Sequence, residues 1–121
     1  MLLFSPAKIN IGLYVSSKRN DAYHNISSLF FPLKFSDILE YIPDVHGELS
    51  GDLLSISGQE IPGDKADNLI LDACRRIREV SELPFFKIHL HKIIPIGAGL
   101  GGGSSNGAYM LKALQAYTIP F

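Results

Sequence analysis

The stretch that most constrains this chain is Pro95-Ile96-Gly97-Ala98-Gly99-Leu100-Gly101-Gly102-Gly103-Ser104-Ser105-Asn106, where glycine fills five of the seven positions from 97 to 103. Such a run is unsuited to the interior of a helix or strand, because glycine loses the most backbone freedom on ordering and has no side chain to pack. Its neighbours are regular. Phe86-Lys87-Ile88-His89-Leu90-His91 alternates apolar and polar, the period-2 pattern of a half-buried strand. From Ser104 onward Ala108, Leu111, Leu114 and Gln115 recur at helical spacing, and Ser104, Ser105 and Asn106 are residue types that favour a helix start. A strand, a glycine loop and a helix N-terminus together suit an anion. Glycine lets backbone amides approach it, and the free N–H groups and positive dipole end of the helix face it. A nucleotide phosphate is the expected ligand.

Any such site must be local, because 11 basic and 12 acidic residues leave a net charge of −1. That balance offers no broad field for nucleic acid or an anionic membrane, so neither is an expected partner. The 121 residues suit one domain with a modest core, and a hydrophobic share of 46% suits a compact protein. The single Cys74 has no internal disulfide partner, which fits a reducing cytoplasm. Met1-Leu2-Leu3-Phe4-Ser5-Pro6 lacks the basic and apolar regions of a signal peptide, and no apolar run reaches the length of a membrane span. A cytoplasmic location is expected.

Leu2 to Val15 reads as a strand with Ile9, Ile11, Leu13 and Val15 on one face and Lys8, Asn10 and Gly12 on the other. That pattern sets an ammonium beside a carboxamide, either as a solvated sheet face or as a pair that handles a polar substrate. The polar run Ser16 to Asp21 then leads into Ala22-Tyr23-His24, where a tyrosine and a histidine could stack on a flat ring and bond its edge. Two further strands are expected at Ile26 to Leu33 and Asp37 to Ile42, the first ended by Pro32, and a hairpin of short strands over Leu49 to Ile56. A helix capped by Asp67 or Asn68 follows, with Leu69, Ile70, Ala73, Cys74, Ile77 and Val80 as its apolar stripe. Cys74 therefore reads as a small core residue. His24, His46, His89 and His91 show no zinc spacing, and the Gly-x-Ser-x-Gly elbow of a serine hydrolase is absent.

The glycine loop fits some phosphate-binding classes better than others. A Walker A loop needs a lysine before the serine, but Gly103 is followed directly by Ser104. Gly97 to Gly102 satisfies Gly-x-Gly-x-x-Gly, yet the acidic residue a dinucleotide fold would place about 20 positions on is missing from the chain's end.

Pro95 to Ser105 resembles the phosphate loop of the galactokinase, homoserine kinase, mevalonate kinase and phosphomevalonate kinase (GHMP) superfamily. Together with Pro6-Ala7-Lys8-Ile9-Asn10 and Ala22-Tyr23-His24, it resembles the branch that phosphorylates an alcohol carrying a cytidine diphosphate group in non-mevalonate isoprenoid synthesis. The resemblance implies an α+β fold like ribosomal protein S5 domain 2, a mixed β-sheet with helices packed on it, with residues 1–121 as the N-terminal ATP-binding domain. It implies Lys8 beside the transferring phosphoryl group, Asn10 positioning the substrate, and Tyr23 and His24 holding the cytosine. Asn68 and Leu69 would approach the adenine. Pro95, Gly97, Gly99, Leu100, Gly101, Gly102, Gly103, Ser104 and Ser105 would wrap the ATP phosphates, with Ser104 or Ser105 reaching Mg²⁺.

The sequence departs from that family in two ways. Ala22 stands where the family usually has glycine. The family's catalytic aspartate lies in a Gly-Ala-Asp-Val-Pro motif beyond the loop, whereas no residue after Ser105 is acidic here. The expectation is an N-terminal portion of such a kinase, with little activity alone and a tendency to self-associate. A dinucleotide-binding oxidoreductase module and a non-catalytic S5-like nucleic-acid-binding domain are the alternatives.

Overall fold

The structure, a computed structural model, describes residues 1–118, so the expected domain limit at residue 121 lies outside the described residues. Two long strands, β1 (Leu2–Lys18) and β2 (His24–Pro43), form an antiparallel ribbon. A short strand β3 (Leu53–Gly58), a helix α1 (Leu69–Arg78), a strand β4 (Phe86–Lys92) and a helix α2 (Gly102–Thr118) follow. The sheet order is β1-β2-β4-β3, with β4 antiparallel to β2 and parallel to β3. This is the expected mixed sheet with helices, and it is not the all-parallel doubly wound sheet that a dinucleotide-binding module needs.

Alternation decides which face is covered. Leu39 and Tyr41 of β2 and Phe86, Ile88 and Leu90 of β4 are buried against Ile70, Ala73 and Cys74 of α1 and Met110, Ala113 and Leu114 of α2. Asn68 caps α1 by accepting the Ile70 N–H at 2.9 Å, as its residue type suggests. Val80 lies beyond the helix and is exposed, so the expected stripe ends one turn early. Burial pushes the Cys74 thiol up to about 12, with Asp52 adding to the effect, which makes it a neutral core residue. In α2 the buried side is Asn106, Gly107, Met110, Ala113 and Leu114, whereas Ala108, Leu111 and Gln115 of the expected stripe are exposed.

Three further expectations, all about the strands, are corrected. The strands expected at 26–33 and 37–42 are one continuous strand running through Pro32. Pro32 stands opposite Lys8, whose N–H points away from the ribbon to the Leu100 carbonyl at 2.9 Å. Directly opposed antiparallel residues exchange both bonds or neither, so the N–H that proline lacks has no ladder partner to lose. The hairpin expected at 49–56 is instead the single strand β3. The segment before it is held by side chains instead, with the Asp44 carboxylate accepting the Leu49 N–H at 2.6 Å and Asp52 accepting both Arg78 NH groups from α1 at 2.5 and 2.8 Å.

The third correction concerns the faces of the ribbon. Ile11 pairs with Leu29 but Leu13 pairs with Ser28, so Gly12, at φ +69, is an inserted residue. A one-residue insertion reverses every later side chain. Leu13 and Val15 therefore leave the face of Ile9 and Ile11 and join that of Lys8 and Asn10. A second insertion, between Val15 and Ser17, leaves Lys18 opposite His24.

Ala22, in the turn joining β1 to β2, has φ +66, a left-handed conformation that costs a residue with a Cβ about 1–2 kcal/mol. Replacing Ala22 with glycine relieves this at some cost in unfolded-chain entropy. The expected net gain is about 0.5–1 kcal/mol in urea unfolding; an unchanged or lower midpoint would contradict the strain.

Candidate functional site

The glycine loop is held from two sides. On one side β1 runs along it: the Lys8 N–H donates to the Leu100 carbonyl at 2.9 Å, and Lys8 Nζ donates to the Gly99 carbonyl at 3.0 Å. Lys8 Nζ also lies 3.4 Å from Asn10 Oδ1 and 5.3 Å from the centre of the Phe30 ring. A Cβ at Gly101 would sit 2.9 Å from Lys8 Cε, so a larger residue there would push the Lys8 stem aside as well as straining a φ of +70. Gly97, Gly99 and Gly101 all have φ near +70, a conformation that glycine adopts without strain.

On the other side lies a buried polar cluster that sequence reasoning missed. Asp37 Oδ2 receives Lys92 Nζ at 2.5 Å and Asn106 Nδ2 at 2.9 Å, while Oδ1 receives the Ile93 and Ile94 N–H groups at 2.6 and 2.8 Å. Asn106 Nδ2 also donates to Ser5 Oγ at 2.6 Å. Burial pushes the Asp37 carboxyl up, but the Lys92 ammonium and the amide donors outweigh it, so its pKa is lowered and it is ionised at neutral pH. The signal was in the alternation: Ser5, Asp37 and Lys92 fall at inward positions of their strands, where Leu3, Leu39 and Leu90 mark the core side.

Helix α2 begins at Gly102, two residues before the expected Ser104. Its first turn is closed by the Ser105 N–H donating to the Gly101 carbonyl at 2.9 Å, and the preceding amides are those a helix start leaves free. Pro95 to Ser104, with Asn68, Leu69 and Lys92, line a cavity of about 430 Å³. An adjoining cavity of about 550 Å³, lined by Ile56, Gln59, Pro62 and Lys65 among others, shares Ile61, Asp67 and Asn68 with it. Ser105 is half-buried in the first helical turn. No group of three or more metal-ligating His, Cys, Asp or Glu side chains occurs among the described residues.

The structure thus brings together Lys8, Asn10, Asn68, Leu69 and the loop. Tyr23 and His24 stand apart at the ribbon's exposed tip. His24 pairs with Lys18 and lies eight residues along β2 from Pro32, the residue opposite Lys8, or about 27 Å along an extended strand. The two inserted residues nevertheless give His24 the same face of the ribbon as Pro32 and Phe30, and hence as Lys8 and Asn10.

The fold and the loop agree with a family match: residues 68–120 match the family described as "GHMP kinases N terminal domain". The chain is similar to 4-diphosphocytidyl-2-C-methyl-D-erythritol kinases. It is 48% identical over 115 residues to the one from Cytophaga hutchinsonii, covering 95% of this chain and 41% of that protein. To the one from Porphyromonas gingivalis it is 45% identical over 117 residues, covering 97% and 42%. A crystal structure of 4-(cytidine 5'-diphospho)-2C-methyl-D-erythritol kinase superposes with a TM-score of 0.73 at 37% identity, covering 98% of this chain and 41% of that one. The chain spans about two fifths of the length of these relatives.

Neighbouring glycines test the geometry of the loop. A Cβ at Gly102 would lie 2.7 Å from Lys92 Nζ and 2.9 Å from Ile94 Cγ2, whereas one at Gly103 meets nothing within 4 Å. Gly102→Ala is expected to lose about 1–3 kcal/mol in urea unfolding through overpacking, and Gly103→Ala to be neutral or up to about 1 kcal/mol more stable. Equal effects at the two positions would refute the close approach.

Proposed function

We propose that the chain is the N-terminal, ATP-binding portion of a kinase that transfers the γ-phosphoryl group of ATP to the 2-hydroxyl of 4-diphosphocytidyl-2-C-methyl-D-erythritol, in the cytoplasmic non-mevalonate route to isoprenoid precursors. The observation that carries this reading is the contact between Lys8 and the glycine loop, which puts a cation against a cradle of backbone amides. Phosphoryl transfer needs positioning and positive charge more than covalent chemistry from the protein.

The loop amides and the first turn of α2 would hold the ATP phosphates, with the adenine lying past Asn68 and Leu69 toward the adjoining cavity. Lys8 would stand by the phosphoryl group and Asn10 by the substrate hydroxyls, while Tyr23 and His24 would grip the cytosine. Mg²⁺ is usually held by phosphate oxygens, water and one or two carboxylates rather than by an all-protein cage, and here the hydroxyl of Ser104 or Ser105 would add one ligand. When bound, the ion would neutralise charge on the phosphates.

Calorimetry of the 121-residue chain is expected to show Mg²⁺-dependent ATP binding that NAD does not displace. Incubation with ATP and the cytidine-diphosphate alcohol should give little or no phosphorylated product, because the base would come from residues outside this chain. Absent ATP binding would sink the nucleotide reading, and steady turnover would sink the need for a base from elsewhere.

Self-association of the isolated chain is also proposed, through the ribbon, where Ile11, Leu13, Val15, Leu29, Phe30 and Phe31 are exposed. Light scattering is expected to show species larger than a 13.3 kDa monomer; a clean monomer at micromolar concentration would argue against it.

A further inference from the structure

Ser5, Asp37, Lys92 and Asn106 are the buried polar side chains among the described residues, and all four belong to the cluster beneath the loop. Replacing a buried ion pair with apolar residues of similar volume is often neutral or stabilising, so stability alone is a weak account of it. Its placement is more telling. Asp37 accepts bonds from the two backbone amides that lead into Pro95, from the ammonium of Lys92, and from Asn106 in the first turns of α2. Lys92 Nζ in turn lies against Gly102, where a Cβ would approach it to 2.7 Å, and Lys92 lines the cavity enclosed by the loop.

A segment with five glycines in seven residues has little stiffness of its own. One of its two supports, the Lys8 side chain, makes its loop bond at an exposed site, where solvent weakens it. The buried support is Asp37.

We propose that Asp37 is a positioning residue for phosphate binding: through Lys92 and the Ile93 and Ile94 amides it fixes the glycine loop and the start of α2 in their anion-accepting shape. This rests on the ATP reading above. The Asp37 carboxylate touches no ligand. Its removal therefore separates two parts of the nucleotide, since the phosphates depend on loop shape and the adenosine does not.

The experiment compares ATP, tripolyphosphate and adenosine binding by calorimetry in the unsubstituted chain, in Asp37→Asn, and in the doubly substituted Asp37→Leu/Lys92→Met chain, which leaves no buried charge. Both variants are expected to lose about tenfold or more in affinity for ATP and tripolyphosphate, the scale of a lost charge-assisted bond, with adenosine affinity unchanged in Asp37→Asn. The double variant keeps the proposal open to test if Asp37→Asn alone does not fold. A parallel fall in ATP and adenosine affinity that follows the melting temperature would reduce Asp37 to a structural role and overturn the proposal, as would wild-type ATP affinity in the double variant. If the unsubstituted chain binds neither ATP nor tripolyphosphate, the nucleotide reading and this role fall together. If it binds them and the folded variants bind them equally, only the positioning role falls.

Discussion

The buried Asp37 carboxylate is the constraint on which the arrangement of this domain depends. It stands on β2 where the end of β4 and the first turns of α2 meet it, and Lys92, Ile93, Ile94 and Asn106 from those two segments donate to it. Removing one partner from such a cluster typically costs about 3–5 kcal/mol, because the remaining charge stays buried and unpaired. An apolar plug could hold the same elements together but could not orient them. The donors reach Asp37 from fixed directions, so one carboxylate sets the exit path of β4, the height of the Lys92 ammonium and the rotation of α2 at once.

The loop that depends on this cluster has no lysine of its own where a Walker A loop would carry one. The lysines that touch it come from strands on opposite sides, Lys8 from β1 and Lys92 from β4. That geometry accounts for two adjacent glycines by different causes. Gly101 gives room to the Lys8 stem while holding φ +70, whereas Gly102 gives room to Lys92 and Ile94 at the helix start. Gly103 is open to solvent. A glycine run that reads as uniform in sequence therefore divides into positions set by backbone angle, positions set by contact and positions set by neither.

What was legible in the sequence followed from local rules. The alternation of β4, the Asn68 cap of α1 and the glycine loop each announce themselves within a few residues, and the mixed sheet with helices followed from the resemblance those motifs carried. What was hidden depended on partners distant in sequence. Gly12 looks like an ordinary strand residue until the register of β2 shows it to be inserted, and only then do Leu13 and Val15 change sides. Pro32 looks like a strand end until the opposite residue, Lys8, is seen to turn its N–H away. Asp37 carries no local signature beyond its parity, since what makes it special is the arrival of Lys92 and Asn106 from residues 55 and 69 positions away.

The same register logic bears on how the two ends of the proposed site relate. The proposed phosphate end is the better supported: its loop rests on the buried Asp37 cluster, although Lys8 makes its loop bond at an exposed site. The cytosine end is less so. Tyr23 and His24 ride on the tip of a two-stranded ribbon beyond its contact with β4, and such a ribbon is marginal in water without packing on a face. From Ile9 to Ser17 and from Asn25 to Leu33 the sequence has no charged residue, so the ribbon lacks the charges that usually protect exposed edges. Its exposed apolar residues occur on both faces: Leu13, Val15, Ile26 and Phe30 on the side of Lys8, and Ile11, Leu29 and Phe31 on the other. If Tyr23 and His24 are to meet a base within hydrogen-bond tolerance, as proposed, so thin a support would not aim them by itself. The two insertions settle which face His24 occupies, but holding it at a fixed distance from Lys8 requires cover on the ribbon's apolar faces. In the proposed site, holding the base would thus depend on whatever packs there, in a way that holding the phosphates would not.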